Sequence, residues 1–426
     1  MMLRLPRFAA VLSAACLLLA SCSKDDTPPA PHVRPEVADR TVMMFLGGNN
    51  NLLSNFMANV KDASRFVSAH TLNDCRLLAF IQPRTNLAAV LELSYDYERG
   101  GCVIDTLRKW QDAAFCSADG ERIREVLGYM AQEAPAKAYG LIMGSHGTGW
   151  VPSQYMTLSS LRSPDADFWK KADGAYETRW FGSDKERSTD ITTLSSCLTA
   201  LRSEGVKFDY LIFDACFMGN IETFYELRGC ADYLLGSPCE IMSHGFPYEQ
   251  AMPYLFADEG RSFDLAGVCR SYVAFYDTEY SVRSACITMA VSSELDALAA
   301  TMKRVNAGAV KSYNRNSLQR YEGLSSPLFI DLGDYVEAMC DDPALLADFY
   351  QQMERTFPTR YHTPQYYSAY DKQMHDISVP DDRWYGVTVS EPSLKYRTEN
   401  QQTAWYQATH LSLIHISEPT RHAQIS

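Results

Sequence analysis

The chain has 426 residues, 46% of them hydrophobic and 21% charged, with a formal net charge of −13. This is a globular rather than a disordered composition, long enough for roughly two to three domains of about 150 residues. An acidic chain without a basic cluster argues against nucleic acid as a partner and permits a cationic one.

The twelve cysteines include no C-x-x-C pair, which speaks against a zinc ribbon or a thioredoxin-type site. Cys75 and Cys286 sit in apolar runs and read as small core residues. Disulfides are open to an exported chain, but the scattered spacing reveals no framework.

Arg4 and Arg7 precede an apolar run over residues 8–20. That run is too short for a bilayer core of about 30 Å, which needs about 20 apolar residues, and it reads as a signal peptide over 1–21. It ends in Leu19-Ala20-Ser21-Cys22, which resembles the lipobox of bacterial lipoproteins, with Cys22 as the lipidated residue. An ordinary secretory signal with a chance cysteine is the alternative. Lys24-Asp25-Asp26 resembles the tag that sends some Gram-negative lipoproteins to the outer surface; a solvated linker is its plain reading. Residues 27–35 are Pro-rich, and 22–38 as a whole reads as a spacer. The expectation is an outer-membrane lipoprotein, surface-exposed and held to the membrane through Cys22.

Residues 41–46 are a continuous apolar run stopped by Gly47-Gly48-Asn49-Asn50-Asn51, the pattern of a buried strand and a turn. A helical pattern covers about 53–66. Residues 77–81 form a second buried strand closed by Pro83, and 89–93 with 102–104 read as a hairpin. The run 121–133 puts Ile123, Val126, Leu127 and Met130 on one helix face, and 139–143 is a third buried strand. Residues 144–152 form a glycine-punctuated loop. Residues 154–190 are polar and aperiodic; so long a loop in a compact domain is functional or disordered. Asp190 is placed to cap a helix to about residue 201. A fourth buried strand (208–213), a helix (218–227) and a short fifth strand (233–235) follow. Beyond about 260 come a strand (285–291), a helix (294–305) and two apolar runs (329–332 and 385–389). Alternating strands and helices predict an α/β fold with a parallel sheet.

The last stretch, residues 411–421, reads LSLIHISEPTR, the in-frame translation of a common sequencing adapter. Ile425-Ser426 fits the adapter resuming after a short index. Residues 411–426 are therefore expected to be an artefact, with the natural chain departing after about His410.

In a parallel sheet, ligands meet the loops beyond the carboxyl ends of strands. His146-Gly147 follows the third predicted strand and Asp214-Ala215-Cys216 the fourth. A cysteine is a strong nucleophile only as thiolate, which an imidazole and a helix N-terminus both favour, and Cys216 just ahead of the predicted 218–227 helix is placed for both. His146 is suited to return a proton to a leaving amine. The N–H groups of Gly147 and Cys216 are candidates for an oxyanion site, with no side chain on Gly147 to block it. Each signal also has a plain reading, a cysteine packing a core and a His-Gly in a turn. On the residues alone the two readings balance.

Leu141-Ile-Met-Gly-Ser-His146-Gly147-Thr-Gly-Trp150 resembles the His motif of the clostripain family of caspase-like cysteine peptidases. Asp214-Ala215-Cys216-Phe-Met-Gly-Asn220-Ile-Glu-Thr-Phe-Tyr-Glu-Leu227 closely resembles its Cys motif. Residues 40–52 are similar to its opening strand and turn. Gly245-Phe-Pro-Tyr248, Phe329-Ile-Asp-Leu332 and Trp405-Tyr406 are similar to later family segments, so the resemblance spans about 39–410.

The resemblance implies an α/β fold with a caspase-like, mostly parallel sheet and helices on both faces over 39–260, followed by a C-terminal α/β part over 261–410. It implies a His146–Cys216 dyad needing no third acid, and peptide hydrolysis through a thioester acyl-enzyme after Arg or Lys. It places Asp214 near the pocket for the basic P1 side chain; the plain alternative is a strand-end acid satisfying backbone donors. Protein or peptide substrates are the expected partners, with no nucleic acid. No cofactor or metal is expected: calcium dependence occurs in parts of the family, but the sequence has no EF-hand-type loop. At Gly236-Ser-Pro-Cys239-Glu240 the chain departs from the paired acids or other polar pair often found there, which bears on strict Arg preference. A catalytically silent surface binding protein on the same scaffold, a peptidase of non-basic specificity and a transpeptidase stay open. Related enzymes are matured by a cut between the His and Cys motifs. The candidates here are Arg162, Lys170, Lys171, Arg179, Lys185 and Arg187.

Overall fold

The computed structural model describes residues 35–47, 50–156, 166–176, 188–256, 263–308 and 312–410. The signal, Cys22, the acidic tag and residues 411–426 lie outside the described residues, as do Arg162, Arg179, Lys185 and Arg187.

In chain order the first strands are β1 (Ala38–Leu46), β2 (Cys75–Arg84), β3 (Leu87–Tyr95), β4 (Cys102–Trp110), β5 (Ala136–Gly144), β6 (Phe208–Asp214), β7 (Ala231–Gly236) and β8 (Cys286–Val291). A short strand β9 (Ile330–Asp331) precedes β10 (Thr359–His362). One nine-stranded sheet has the order β10-β8-β7-β6-β5-β1-β2-β3-β4. Strands β2, β1, β5, β6 and β7 pair in parallel. The pairs β2–β3, β3–β4, β7–β8 and β8–β10 are antiparallel, so only β3 and β8 run against the rest of the sheet. The sheet is thus mostly parallel, as expected. Strand β2 is longer than its apolar run and continues past Pro83. A ladder irregularity between Ile81 and Arg84 accommodates this residue, which has no N–H to donate.

Both faces of the sheet are covered, which is why its central strands read as unbroken apolar runs. Val42, Met44 and Leu46 point into one core, shared with α1 (Leu53–Ala69). Met43 and Phe45 point into the other, shared with α2 (Gly120–Glu133) and α3 (Ile191–Ser203). The same alternation separates Ile212 from Leu211 and Phe213 in β6. Next in the chain are α4 (Ile221–Leu227), α5 (Tyr248–Ala251) and α6 (Leu265–Thr278), then α7 (Leu295–Gly308), α8 (Leu332–Met339) and α9 (Pro343–Thr356). Helix α6 joins the α1 face; α4, α7 and α9 join the α2 face. Asp190 does not cap α3 with its side chain as expected. Its carboxylate accepts the Ser153 N–H at 2.7 Å instead, tying the start of α3 to the loop after the His motif.

Three carboxyls are buried where water cannot solvate their charge. Glu222 accepts from Ser390 N at 2.8 Å, Glu322 from Leu328 N at 2.9 Å, and Asp331 from the Tyr321 hydroxyl at 2.8 Å. Burial pushes their pKa values up to about 7, about 8 and about 7. A carboxyl with a raised folded-state pKa gives stability that is complete below its unfolded pKa and is lost as pH rises through the folded value. Thermal stability should therefore fall between pH 5.5 and 8.5 through these groups. Glu322→Gln should reduce the fall by on the order of 2–3 kcal/mol, read as melting temperatures at the two pH values. An equal fall in wild type and variant would contradict the assignment.

Candidate active site

The parallel ladder sets β5 and β6 side by side, with Gly144 opposite Asp214 at their carboxyl ends. His146 and Cys216 each lie two residues beyond that matched pair. The loops that carry them are packed together. A β-carbon on Gly147 would stand 2.4 Å from the Cys216 carbonyl oxygen and 3.0 Å from Ala215 Cβ, so only glycine fits there. Gly149, at φ +60°, is similarly confined: a β-carbon would lie 2.9 Å from the Phe217 carbonyl oxygen.

His146 is buried, with its Nε2 3.0 Å from Asn51 Oδ1. The Asn51 side-chain amide thus holds the imidazole ring in place. Asn51 belongs to the turn after β1, which brings a third segment to the site. On the α2 side of the sheet a cleft opens beside His146, lined by Phe45, Ile123, Met143, Phe213 and Met218.

Cys216 is fully buried. Its Sγ accepts the Ile241 N–H at 3.2 Å and lies 3.7 Å from the Ile241 carbonyl oxygen. The segment after β7 forms the adjoining wall: Phe217 N donates to Cys239 O at 3.1 Å and Gly219 N to Ser237 O at 2.7 Å. Burial first, and the Glu240 charge second, push the Cys216 thiol well above its ordinary pKa; the Lys171 charge and the Ile241 N–H act against them. The expected help from a helix N-terminus is absent. Helix α4 starts at Ile221 rather than 218, capped by Asn220, whose side chain takes the Thr223 N–H at 3.2 Å. Cys216 therefore lies outside the first turn, where the helix field acts. Its surroundings thus make the thiol harder to ionise than a free cysteine.

Asp214 is buried at the end of β6, and its Oδ2 accepts the Tyr248 hydroxyl at 2.7 Å. Tyr248 closes the Gly-Phe-Pro-Tyr segment, which thus supports an acid two residues before Cys216. Glu240 is also buried, accepts from Ala369 N at 3.1 Å, and is felt by the thiol. Cys239, the point of departure from the family pattern, packs into a separate cluster with Cys286, Tyr321, Tyr366 and Trp384. Two acids, Asp214 and Glu240, hence stand near Cys216, and the charge of Lys171 in the 154–190 linker acts on its thiol.

A model of the clostripain family matches residues 48–376. The chain belongs to the clostripain family. Among solved structures, a secreted C11 cysteine protease from Bacteroides thetaiotaomicron called iotapain is 33% identical with a TM-score of 0.75. The match covers 88% of this chain and 100% of that one. An inactive zymogen C11 protease from Parabacteroides distasonis is 26% identical with a TM-score of 0.73, covering 89% and 100% of the two chains. A further secreted C11 cysteine protease from Bacteroides thetaiotaomicron, in complex with an irreversible peptide inhibitor, shares the fold at 22% identity and a TM-score of 0.71. That match covers 87% and 99% of the two chains. The comparison with curated proteins found no match.

Much of the family's motif pattern has a structural use. Glu222 and Trp150, one from each motif, both bond to Ser390, the glutamate to its N–H and the indole to its hydroxyl at 2.9 Å. Asn220 caps α4 and donates to Thr388 Oγ1 at 3.2 Å. Trp405, from the closing segment, packs edge-on against Tyr225 of α4 at 5.5 Å. Sequence reasoning did not single out Asn51, Glu240 or Ile241. Glu240 had a signal, an acid directly after the departure at Cys239; a backbone N–H facing a thiol leaves none.

Proposed function

We propose that this family member is a cysteine endopeptidase that cleaves protein or peptide substrates after Lys or Arg, with Cys216 as nucleophile and His146 as acid and base. The matched ends of β5 and β6, which bring His146-Gly147 against Cys216, carry this reading. The His146 imidazole takes the thiol proton, and Sγ attacks the carbonyl carbon of the basic residue. The N–H groups of Gly147 and Cys216 meet the oxyanion. His146 gives its proton to the departing amine, leaving a thioester. Water, deprotonated by His146, then attacks the thioester, releases the new carboxyl end and restores the thiol. The chemistry assigned here uses thiol and imidazole, with no cofactor.

Specificity for a basic P1 side chain follows from two buried acids beside the thiol, Asp214 and Glu240, and from the linker lysine whose charge reaches it. Peptides identical except for Arg, Lys, Asn or Asp at P1 test this. Lys and Arg should exceed Asn and Asp by at least about 100-fold in kcat/KM, the scale set by leaving buried charges unpaired. Equal rates for Asn or Asp would refute the basic preference.

We also propose that the protein is an outer-membrane lipoprotein that faces outward. The Leu-Ala-Ser-Cys22 sequence and the acidic tag after it support this, and iotapain is described as secreted. Cys22→Ser should release a soluble protein. Replacing Lys24, Asp25 and Asp26 with Ala should leave it anchored but facing inward. Surface shaving that removes the triple variant as readily as the wild type would contradict the tag.

A further inference from the structure

Within the otherwise polar linker, Phe168 and Trp169 are the buried side chains among the described residues of 154–190. Trp169 is 2% exposed. Its indole N–H donates to the Tyr396 hydroxyl at 2.9 Å, and its ring meets Tyr370 edge-on with centroids 5.9 Å apart. Phe168 meets Tyr396 edge-on at 6.0 Å and lies beneath the Lys395 ammonium at 4.7 Å. Tyr370 is 6.4 Å from Phe217, which directly follows Cys216 and stacks on Phe329 at 4.6 Å. Aromatic contact therefore runs from the residue next to the thiol to Trp169.

Two members of this wall, Phe217 at φ 59° and Tyr396 at φ 55°, hold the left-handed backbone that bulky residues rarely adopt. Such strain persists only where the surroundings enforce it, and it concentrates at ligand clamps. Past Trp169 the chain continues in a bound course. The Lys171 charge acts on the thiol, Ala172 N donates to Ala369 O at 2.9 Å, and Tyr176 N donates to the Tyr367 hydroxyl at 2.9 Å. The aromatic box holds this one stretch of the linker against the wall that begins beside Cys216.

We infer that the box formed by Tyr370 and Tyr396 is a substrate subsite for an aromatic side chain two positions before the scissile basic residue, which the linker fills with Trp169 until it is cut. The inference rests on the proposed cleavage after basic residues and adds a second element to it: the preferred peptides have the form aromatic-x-Lys or aromatic-x-Arg. Tryptophan is favoured over phenylalanine, because the Tyr396 hydroxyl accepts the indole N–H.

The test uses the mature protein and three coumarin amides, acetyl-Trp-Ala-Lys, acetyl-Phe-Ala-Lys and acetyl-Ala-Ala-Lys. The Trp peptide should exceed the Ala peptide about tenfold or more in kcat/KM, with Phe between them. Tyr396→Phe, which keeps the ring and loses the acceptor, should bring the Trp-to-Phe ratio towards one. Equal kcat/KM for Trp and Ala, with the preference for Lys over Asn at P1 intact, would overturn the subsite alone. A faster self-cut in Trp169→Ala without any preference for Trp in the peptides would also overturn it, because the box would then serve only to hold the linker. Loss of the Lys preference itself would instead strike the parent reading.

Discussion

Replacing Cys216 with alanine should lower peptide hydrolysis by at least about 10⁴-fold while the protein stays folded. The side chain lost is small, and the backbone bonds of its neighbours to the 237–241 wall, Phe217 N to Cys239 O and Gly219 N to Ser237 O, do not involve the sulfur, whose own contacts there are with Ile241 N and O. The covalent route, however, has no other atom to run through. His146→Ala should be nearly as severe, with a different pH signature. Burial and Glu240 hold the thiol above its ordinary pKa, so without an imidazole the residual rate should climb with pH as the thiol ionises. The Cys216→Ala residue should show no such climb. Rates across pH for the two variants, with circular dichroism as the folding control, separate nucleophile from base. Normal turnover by Cys216→Ala would end the mechanism proposed here.

Lys171→Ala should leave the chain in one piece and lower its activity by at least about 100-fold, the loss expected when substrate cannot reach the reacting atoms. In the uncut chain Cys216 is fully buried and Lys171 lies close enough to influence its ionisation. Of the six basic candidates in the linker, Lys170 and Lys171 lie within the described residues, and Lys170 is exposed. A cut between Lys171 and Ala172 would leave β1–β5 on one chain and β6–β10 on the other. The β5–β6 ladder and the two shared cores would hold them together. Wild type should therefore purify as two chains, with Lys171 at the end of the first and Ala172 at the start of the second. The Cys216→Ala protein should remain one chain until active enzyme is added. Intact mass spectrometry decides this: full activity from an uncut chain, or a cut at another basic residue with Lys171 intact, would contradict it.

The sequence conveyed the sheet well because its central strands are buried on both faces and so appear as unbroken apolar runs. It conveyed the His146 and Cys216 placement because strand ends in an α/β sheet are where loops can meet. What it missed has specific causes. The start of α4 was misplaced by three residues, since Met218 and Gly219 look helical but the Gly219 chain is pinned against Gly236. A β-carbon on Gly219 would lie 2.9 Å from the Gly236 oxygen. The cap on α3 failed because Asp190 found a nonlocal donor, Ser153 N. Pro83 was taken as a stop, whereas a ladder irregularity absorbs it. Glu240 and the Trp169 box depend on contacts between segments more than 100 residues apart, which no local pattern carries.

Labelling of the mature protein with a lysine-bearing peptide chloromethyl ketone, followed by peptide mapping, tests the central claim most directly. The account predicts one adduct per molecule, on Cys216 Sγ, formed in step with loss of hydrolysis and slowed by free lysine peptide. An adduct on any other cysteine with hydrolysis lost, or hydrolysis persisting after Cys216 is fully alkylated, would contradict it.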